Sequence, residues 1–165
     1  MLFRSKTLDS TGQADSRLEG ELGEIDYLLG AGSDRIGALD TTETPDDLYE
    51  RGAARRRELM GEPSGSVLEP VTQAERDFNR LTTEYYWGSV WTRPGLDLES
   101  RSICTLSALT ALGREGPLRS HIRGALNIGL TQELIVEVFI HTTFYCGLPF
   151  ARAAIDLANE IFRES

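Results

Sequence analysis

Along the second half of the chain, apolar residues recur at spacings of three and four, in blocks that end on glycine and restart on a capping residue. The first block, DDLYERGAARRRELM, follows Thr44 as N-cap with Pro45 at the first helical position, and Gly61 closes it. Thr72 with Glu75 three residues on forms a capping box that predicts a helix to about Tyr86, after which YYWGSVWTRPG reads as an irregular aromatic stretch. Asp97 caps LESRSICTLSALTAL, which Gly113 stops, and Pro117 opens LRSHIRGALNI, which Gly129 stops. Thr131 caps QELIVEVFIHTTFYC, which Gly147 stops, and Pro149 opens FARAAIDLANEIF. No strand-period pattern competes, so residues 44–165 are expected to form an all-α domain, a compact bundle of five or six helices with short links. Residues 1–43, rich in Gly, Ser, Asp and Glu, contain one short apolar cluster, IDYLLG, and read as an acidic flexible extension or an arm laid on a neighbouring subunit.

The helix over 132–146 carries Leu134, Ile135, Val138, Phe139 and Ile140 nearly all round its circumference. That pattern predicts a central helix buried on most sides. A core of fewer than a hundred residues cannot cover so apolar an element alone, which points to a homo-oligomer.

Composition narrows the function classes. The chain has 165 residues, a formal net charge of −9 and 40% hydrophobic residues, and no apolar run approaches the length of a membrane span. The N-terminus lacks the continuous apolar stretch of a secretory signal, so a cytoplasmic protein without a membrane partner is expected. Residues 1–69 hold 15 Asp/Glu against 8 Lys/Arg, an acidity that disfavours nucleic acid. Cys104 and Cys146 form no CxxC pair and read as small buried residues, and Cys146 sits at a helix C-terminus, where partial negative charge disfavours a thiolate.

Candidate chemistry lies on the last helices. Glu137, His141 and Tyr145 fall on one strip at i, i+4 spacing. The only other histidine, His121, shares a face with Leu118, Ile122 and Ala125, so both histidines are expected to point inward. A lone histidine on such a face is commonly a satisfied core residue; two on consecutive helices with a glutamate and a tyrosine favour a site. Arg101 lies on an apolar face and wants an anion, either a ligand or Glu137 in an ion pair. Arg93, held between Trp91 and Pro94, is placed to close over a carboxylate or else to sit in an ordered turn. Arg123 falls about 160° from His121 on the same helix and reaches its pocket only across a subunit boundary. The spacing of the two histidines and Glu137 matches no metal motif, so no metal is expected, and Gly-rich phosphate loops, HExxH and GxSxG are absent.

WGSVWTRPGL (87–96), LRSHIRGALNIGLT (118–131) and EVFIHTTFYCGLP (137–149), in this order and spacing, resemble the γ-carboxymuconolactone decarboxylase family over about residues 48–162. The resemblance implies an all-helical subunit that assembles as a ring, as a trimer or hexamer. It also implies a cofactor-independent carboxy-lyase that converts 4-carboxymuconolactone to 3-oxoadipate enol-lactone and CO2 in the protocatechuate branch of the β-ketoadipate pathway. Relatives resembling alkylhydroperoxidase AhpD use a CxxC pair, whose matching positions here are Arg114 and Pro117, so thiol peroxidase chemistry is excluded. Carried onto this chain, the resemblance assigns Arg93 and Arg101 to the substrate carboxylates and His121 to proton delivery. Tyr145 or His141 falls to the oxyanion, with Glu137 beside them and Tyr86, Trp87 and Arg123 lining the substrate. The chain departs from the family pattern at His141, where glutamine is usual, at Tyr86, where a small residue is usual, and at Arg152, where asparagine is usual. Two alternatives stand beside the decarboxylase: a related enzyme acting on another carbonyl or aromatic intermediate in natural-product biosynthesis, and a non-catalytic helical assembly protein.

Overall fold

The computed structural model describes residues 42–61, 70 and 72–164. Almost all of the expected N-terminal extension, residues 1–43, lies outside them. Among the described residues there are six α-helices, one π-helical segment and no strand. No helix among them is long and apolar enough to cross a membrane.

Helix α1 (Pro45–Met60) starts as expected. Thr44 accepts from the Asp47 N–H, Asp47 returns the bond to the Thr44 N–H, and Gly61 ends the helix with φ 76°. Helix α2 (Gln73–Leu81) is capped by Thr72, whose hydroxyl accepts from the Glu75 N–H. The chain then does not loosen into an irregular aromatic stretch. It widens into a π-helical segment, Thr82–Val90, that closes with the Trp91 N–H on the Tyr86 carbonyl.

Tertiary contacts explain this wider winding. The Gly88 carbonyl accepts from Arg51 Nε at 2.8 Å and from the Thr92 hydroxyl, which supplies donors from outside the segment's own ladder. Two glycines let α1 lie against the segment backbone to backbone. A Cβ on Gly52 would stand 2.0 Å from the Thr83 carbonyl oxygen, and one on Gly88 would stand 2.1 Å from that of Leu48. Gly52→Ala is therefore expected to cost about 2–3 kcal/mol, because the obstruction is backbone and cannot swing aside. A urea titration reads this directly, and an unchanged midpoint would mean that the two elements do not touch in solution.

The remaining helices form the bundle. Asp97 caps α3 (Leu98–Ala111) by accepting from the Ser100 N–H at 2.7 Å, and Gly113 turns the chain at φ 61°. Helix α4 (Glu115–Asn127) begins two residues before Pro117, which places the proline within the first turn, where its missing N–H has no intrahelical partner to lose. Thr131 caps α5 (Gln132–Cys146), Gly147 ends it at φ 93°, and α6 (Leu148–Glu164) follows at once, one residue before Pro149.

Leu106, Ile122, Ile135, Phe139, Leu157 and Ile161 lie at the centre of the bundle core. Leu59, Trp87 and Trp91 form a second cluster, against which Met60, Leu98 and Ile128 pack. Asn127 joins the two halves, donating from Nδ2 to the Glu58 and Leu59 carbonyls at the end of α1.

Two expectations need correction. Helix α5 is not buried on most sides of the subunit. Ile135, Val138, Phe139 and Thr142 are buried, whereas Leu134, Ile140, Phe144 and Tyr145 are exposed, Phe144 at 89%. Its neighbours within the subunit cover one face, and apolarity all round the circumference says nothing about which face they choose. Neither cysteine is a small buried residue either: Cys104 is exposed, and Cys146 is partly so.

Candidate functional site

His121 is where periodicity placed it, on the inward face of α4 with Leu118, Ile122 and Ala125, and it is 7% exposed. Its ring lies nearly parallel to Trp87 at 6.3 Å and to Trp91 at 6.0 Å. Tyr86 sets its ring edge-on against both tryptophans, at 5.0 and 5.9 Å. Trp87 is thus a buried wall behind His121. The imidazole Nδ1 is buried, with no hydrogen-bond partner among the described residues. Such an atom costs about 1–3 kcal/mol relative to a satisfied one.

Burial pushes the His121 pKa down from 6.5 to about 4, so the ring is neutral near pH 7. The unfolded chain binds this proton more readily than the folded one. Stability is therefore full above pH 6.5 and falls as pH drops towards 4, by about 3 kcal/mol in all. Urea titrations at pH 7 and pH 4.5 on wild type and His121→Phe isolate this contribution as a double difference. The variant is expected to lose markedly less stability on acidification, and equal losses would show that His121 is not buried neutral.

The arginines follow from the loop after Trp91. Arg101 does not pair with Glu137. Its guanidinium turns back to donate from Nη2 to the Arg93 carbonyl at 2.6 Å and from Nε to the Leu96 carbonyl at 3.2 Å. Burial first, and then the positive charges of Arg55 and Arg93, hold its pKa below the usual guanidinium range. Arg55 escaped the sequence reading. It lies one turn before Leu59, which packs against Trp87 and Trp91, and only that packing distinguishes it from Arg56 and Arg57. Glu84 was also missed: it is 6% exposed on the π-helical segment, with Arg80 Nε 2.6 Å from its Oε1.

The other candidates stand elsewhere. Glu137, His141 and Tyr145 do share a strip, with the His141 and Tyr145 rings 5.2 Å apart, but the strip faces outward and Tyr145 is 78% exposed. The inward orientation expected for His141 is thus corrected: the buried face of α5 is the one bearing Phe139 and Thr142. Arg123 is exposed and pairs with Glu164 at 2.6 Å, and Arg152 pairs with Asp156 at 2.8 Å. A depression of about 340 Å³ is lined by Tyr49, Arg56, Arg76, Asn79 and Arg80, and a more open apolar one by Phe78, Leu81, Tyr85 and Tyr86. Neither is lined by His121 or Arg101. Among the described residues no three His, Cys, Asp or Glu side chains converge as metal ligands would.

Among the described residues this arrangement offers a neutral imidazole with an unpartnered nitrogen in an aromatic wall, beside the loop that Arg101 ties down through the Arg93 and Leu96 carbonyls. Residues 76–160 match the carboxymuconolactone decarboxylase family. The chain is 38% identical over 117 residues to 4-carboxymuconolactone decarboxylase of Acinetobacter baylyi, covering 70% of this chain and 87% of that protein. It is also 38% identical over 103 residues to nitrosuccinic acid decarboxylase of Metarhizium robertsii, covering 62% of this chain and 72% of that one. Both relatives are decarboxylases, which supports a carboxy-lyase. On the extent of these matches, and with a described region that is helical throughout its regular elements, the chain belongs to the carboxymuconolactone decarboxylase family.

Proposed function

We propose that the protein removes CO2 from a small dicarboxylate whose remaining carbanion is delocalised onto an oxygen acceptor, with 4-carboxymuconolactone as its substrate. The observation that carries this reading is His121, neutral and with an unpartnered Nδ1, set against Trp87 and Trp91.

In that lactone the departing carboxylate sits on a ring carbon conjugated through a C=C bond to the lactone carbonyl. When the C–C bond breaks, its electron pair enters the ring as a dienolate, with negative charge on the carbonyl oxygen. CO2 leaves, and a proton added to the carbon next to that carbonyl gives 3-oxoadipate enol-lactone. The substrate is its own electron sink, so the reaction needs no cofactor. The protein supplies cations for two carboxylates and an acid for carbon.

Arg93 and Arg101 hold the carboxylates. The dianion, placed near His121, raises the imidazole pKa, so the ring takes up a proton as substrate binds and delivers it after CO2 leaves. The match to nitrosuccinic acid decarboxylase favours a second reading. Nitrosuccinate also carries two carboxylates, and its nitro oxygens take the charge that the lactone carbonyl would take. CO2 release from both compounds, with the lactone generated in situ, decides between the readings, and no release from either by folded protein overturns both.

The assembled protein in this proposal is a cytoplasmic trimer or hexamer. The apolar side chains exposed on and beside α5, from Leu134 through Ile140, Phe144 and Tyr145 to Leu148 and Phe150, support a second copy as the element that covers them. In such an assembly the Glu137–His141–Tyr145 strip serves a site between copies, where Tyr145 or His141 donates to the oxyanion. Phe144→Asp is expected to shift the sedimentation coefficient to that of a monomer, and a wild type that sediments as a monomer would sink this part of the reading.

A further inference from the structure

We propose that Arg55 is a specificity-determining residue of the carboxylate site, forming with Arg93 and Arg101 a cradle of three guanidiniums that holds the two carboxylates of the substrate. This inference rests on the dicarboxylate reading above and extends it to a residue on a different helix.

The placement follows from two anchors in one cluster. Leu59 of α1 and Leu98 of α3 both pack with Trp87 and Trp91. Arg55 precedes Leu59 by one helical turn and Arg101 follows Leu98 by three residues, so both side chains rise from the rim of the same aromatic cluster. Arg93 enters from the loop between them, and its carbonyl is already bonded to Arg101. The three charges repel one another: after burial, Arg55 and then Arg93 do most to lower the Arg101 pKa, each ahead of the opposing effects of Cys104 and Asp97.

Among the described residues, compensation for these charges is thin. Among these residues Arg55 has Glu58 at 2.8 Å, Arg101 bonds to the Leu96 and Arg93 carbonyls, and Asp97 accepts from the Ser100 N–H. Guanidiniums gathered this way, in a chain of net charge −9, are arranged for an anion from outside. Glu58 then acts as an internal competitor for Arg55, which gives the proposal an opposite-sign consequence. Removing the arginine weakens binding of a dicarboxylate, and neutralising its glutamate partner strengthens it. A purely structural ion pair predicts that the two changes behave alike.

The test is calorimetric binding of succinate, as a plain dicarboxylate, and of butyrate, as its monocarboxylate counterpart, to the full-length protein. Wild type is expected to prefer succinate. Arg55→Met, which keeps the aliphatic stem, should weaken succinate binding roughly tenfold or more and erase the preference, with Arg55→Lys recovering part of it. Glu58→Gln should tighten succinate binding about two- to fourfold. In turnover with the active substrate, the Arg55→Met loss should fall chiefly on KM, as for an interaction made equally in ground and transition states. If wild type binds succinate and Arg101→Met abolishes this while Arg55→Met does not, Arg55 is a surface ion pair and the proposal fails alone. If wild type binds no succinate, the dicarboxylate reading of the whole cradle fails with it.

Discussion

His121→Gln is expected to lower kcat by roughly 10²–10⁴-fold on the active substrate, the usual contribution of a positioned general acid. Glutamine fills much of the same space and can still hydrogen-bond, so the protein should stay folded and the loss should report on the proton. The pH dependence separates this role from simple packing. In the free protein the ring holds its proton only below about pH 4, and kcat/KM reports the free enzyme. If the protonated ring is the acid, kcat/KM should fall about tenfold per pH unit as pH rises between roughly 5 and 8, and kcat should fall later, because bound dianion raises the pKa. That descending limb should vanish in His121→Gln. A variant that keeps both wild-type kcat and its pH limb would remove His121 from the chemistry.

Much of the helical fold could be read before any coordinates, and the reason is local. Thr44, Asp97 and Thr131 cap helices through hydroxyl or carboxylate oxygens that reach an N–H three residues on, and Gly61, Gly113, Gly129 and Gly147 all stand at positive φ at helix ends. These contacts lie within a few residues of one another, so sequence alone specifies them. His121 was legible because α4 has one clearly apolar face. The same argument failed on α5, where apolar residues on every side leave the angle of His141 undetermined until the packing of its neighbours is known. The π-helical segment was illegible for a related reason: its Gly88 carbonyl accepts from Arg51, thirty-seven residues away, and its backbone at Thr83 packs directly on Gly52. Arg55 lies in a run of three arginines, and only the burial of Leu59, one turn further on, sets its position apart.

Arg101→Met should reduce kcat/KM by about 10²–10³-fold, more than any other single change to the arginine cradle. Arg101 has two tasks in the same guanidinium. Its Nε and Nη2 hold the Leu96 and Arg93 carbonyls, which fixes the loop that presents Arg93, and in the proposed cradle its other N–H groups bind a carboxylate. Methionine removes the charge and releases the loop, so two cations are displaced by one substitution. Lysine tests which task dominates. It keeps the charge, but its compact ammonium cannot span two carbonyls and a carboxylate in one plane, so Arg101→Lys should recover only about tenfold of the loss. Loop release should also appear without substrate, as faster amide exchange at Arg93, whose N–H bonds to the Val90 carbonyl. If Arg101→Lys restores wild-type kcat/KM while exchange at Arg93 is accelerated, the charge is what matters and the loop geometry is incidental. If Arg101→Met itself turns over like wild type, the carboxylates are held elsewhere and the site must be sought away from the Trp87–Trp91 cluster.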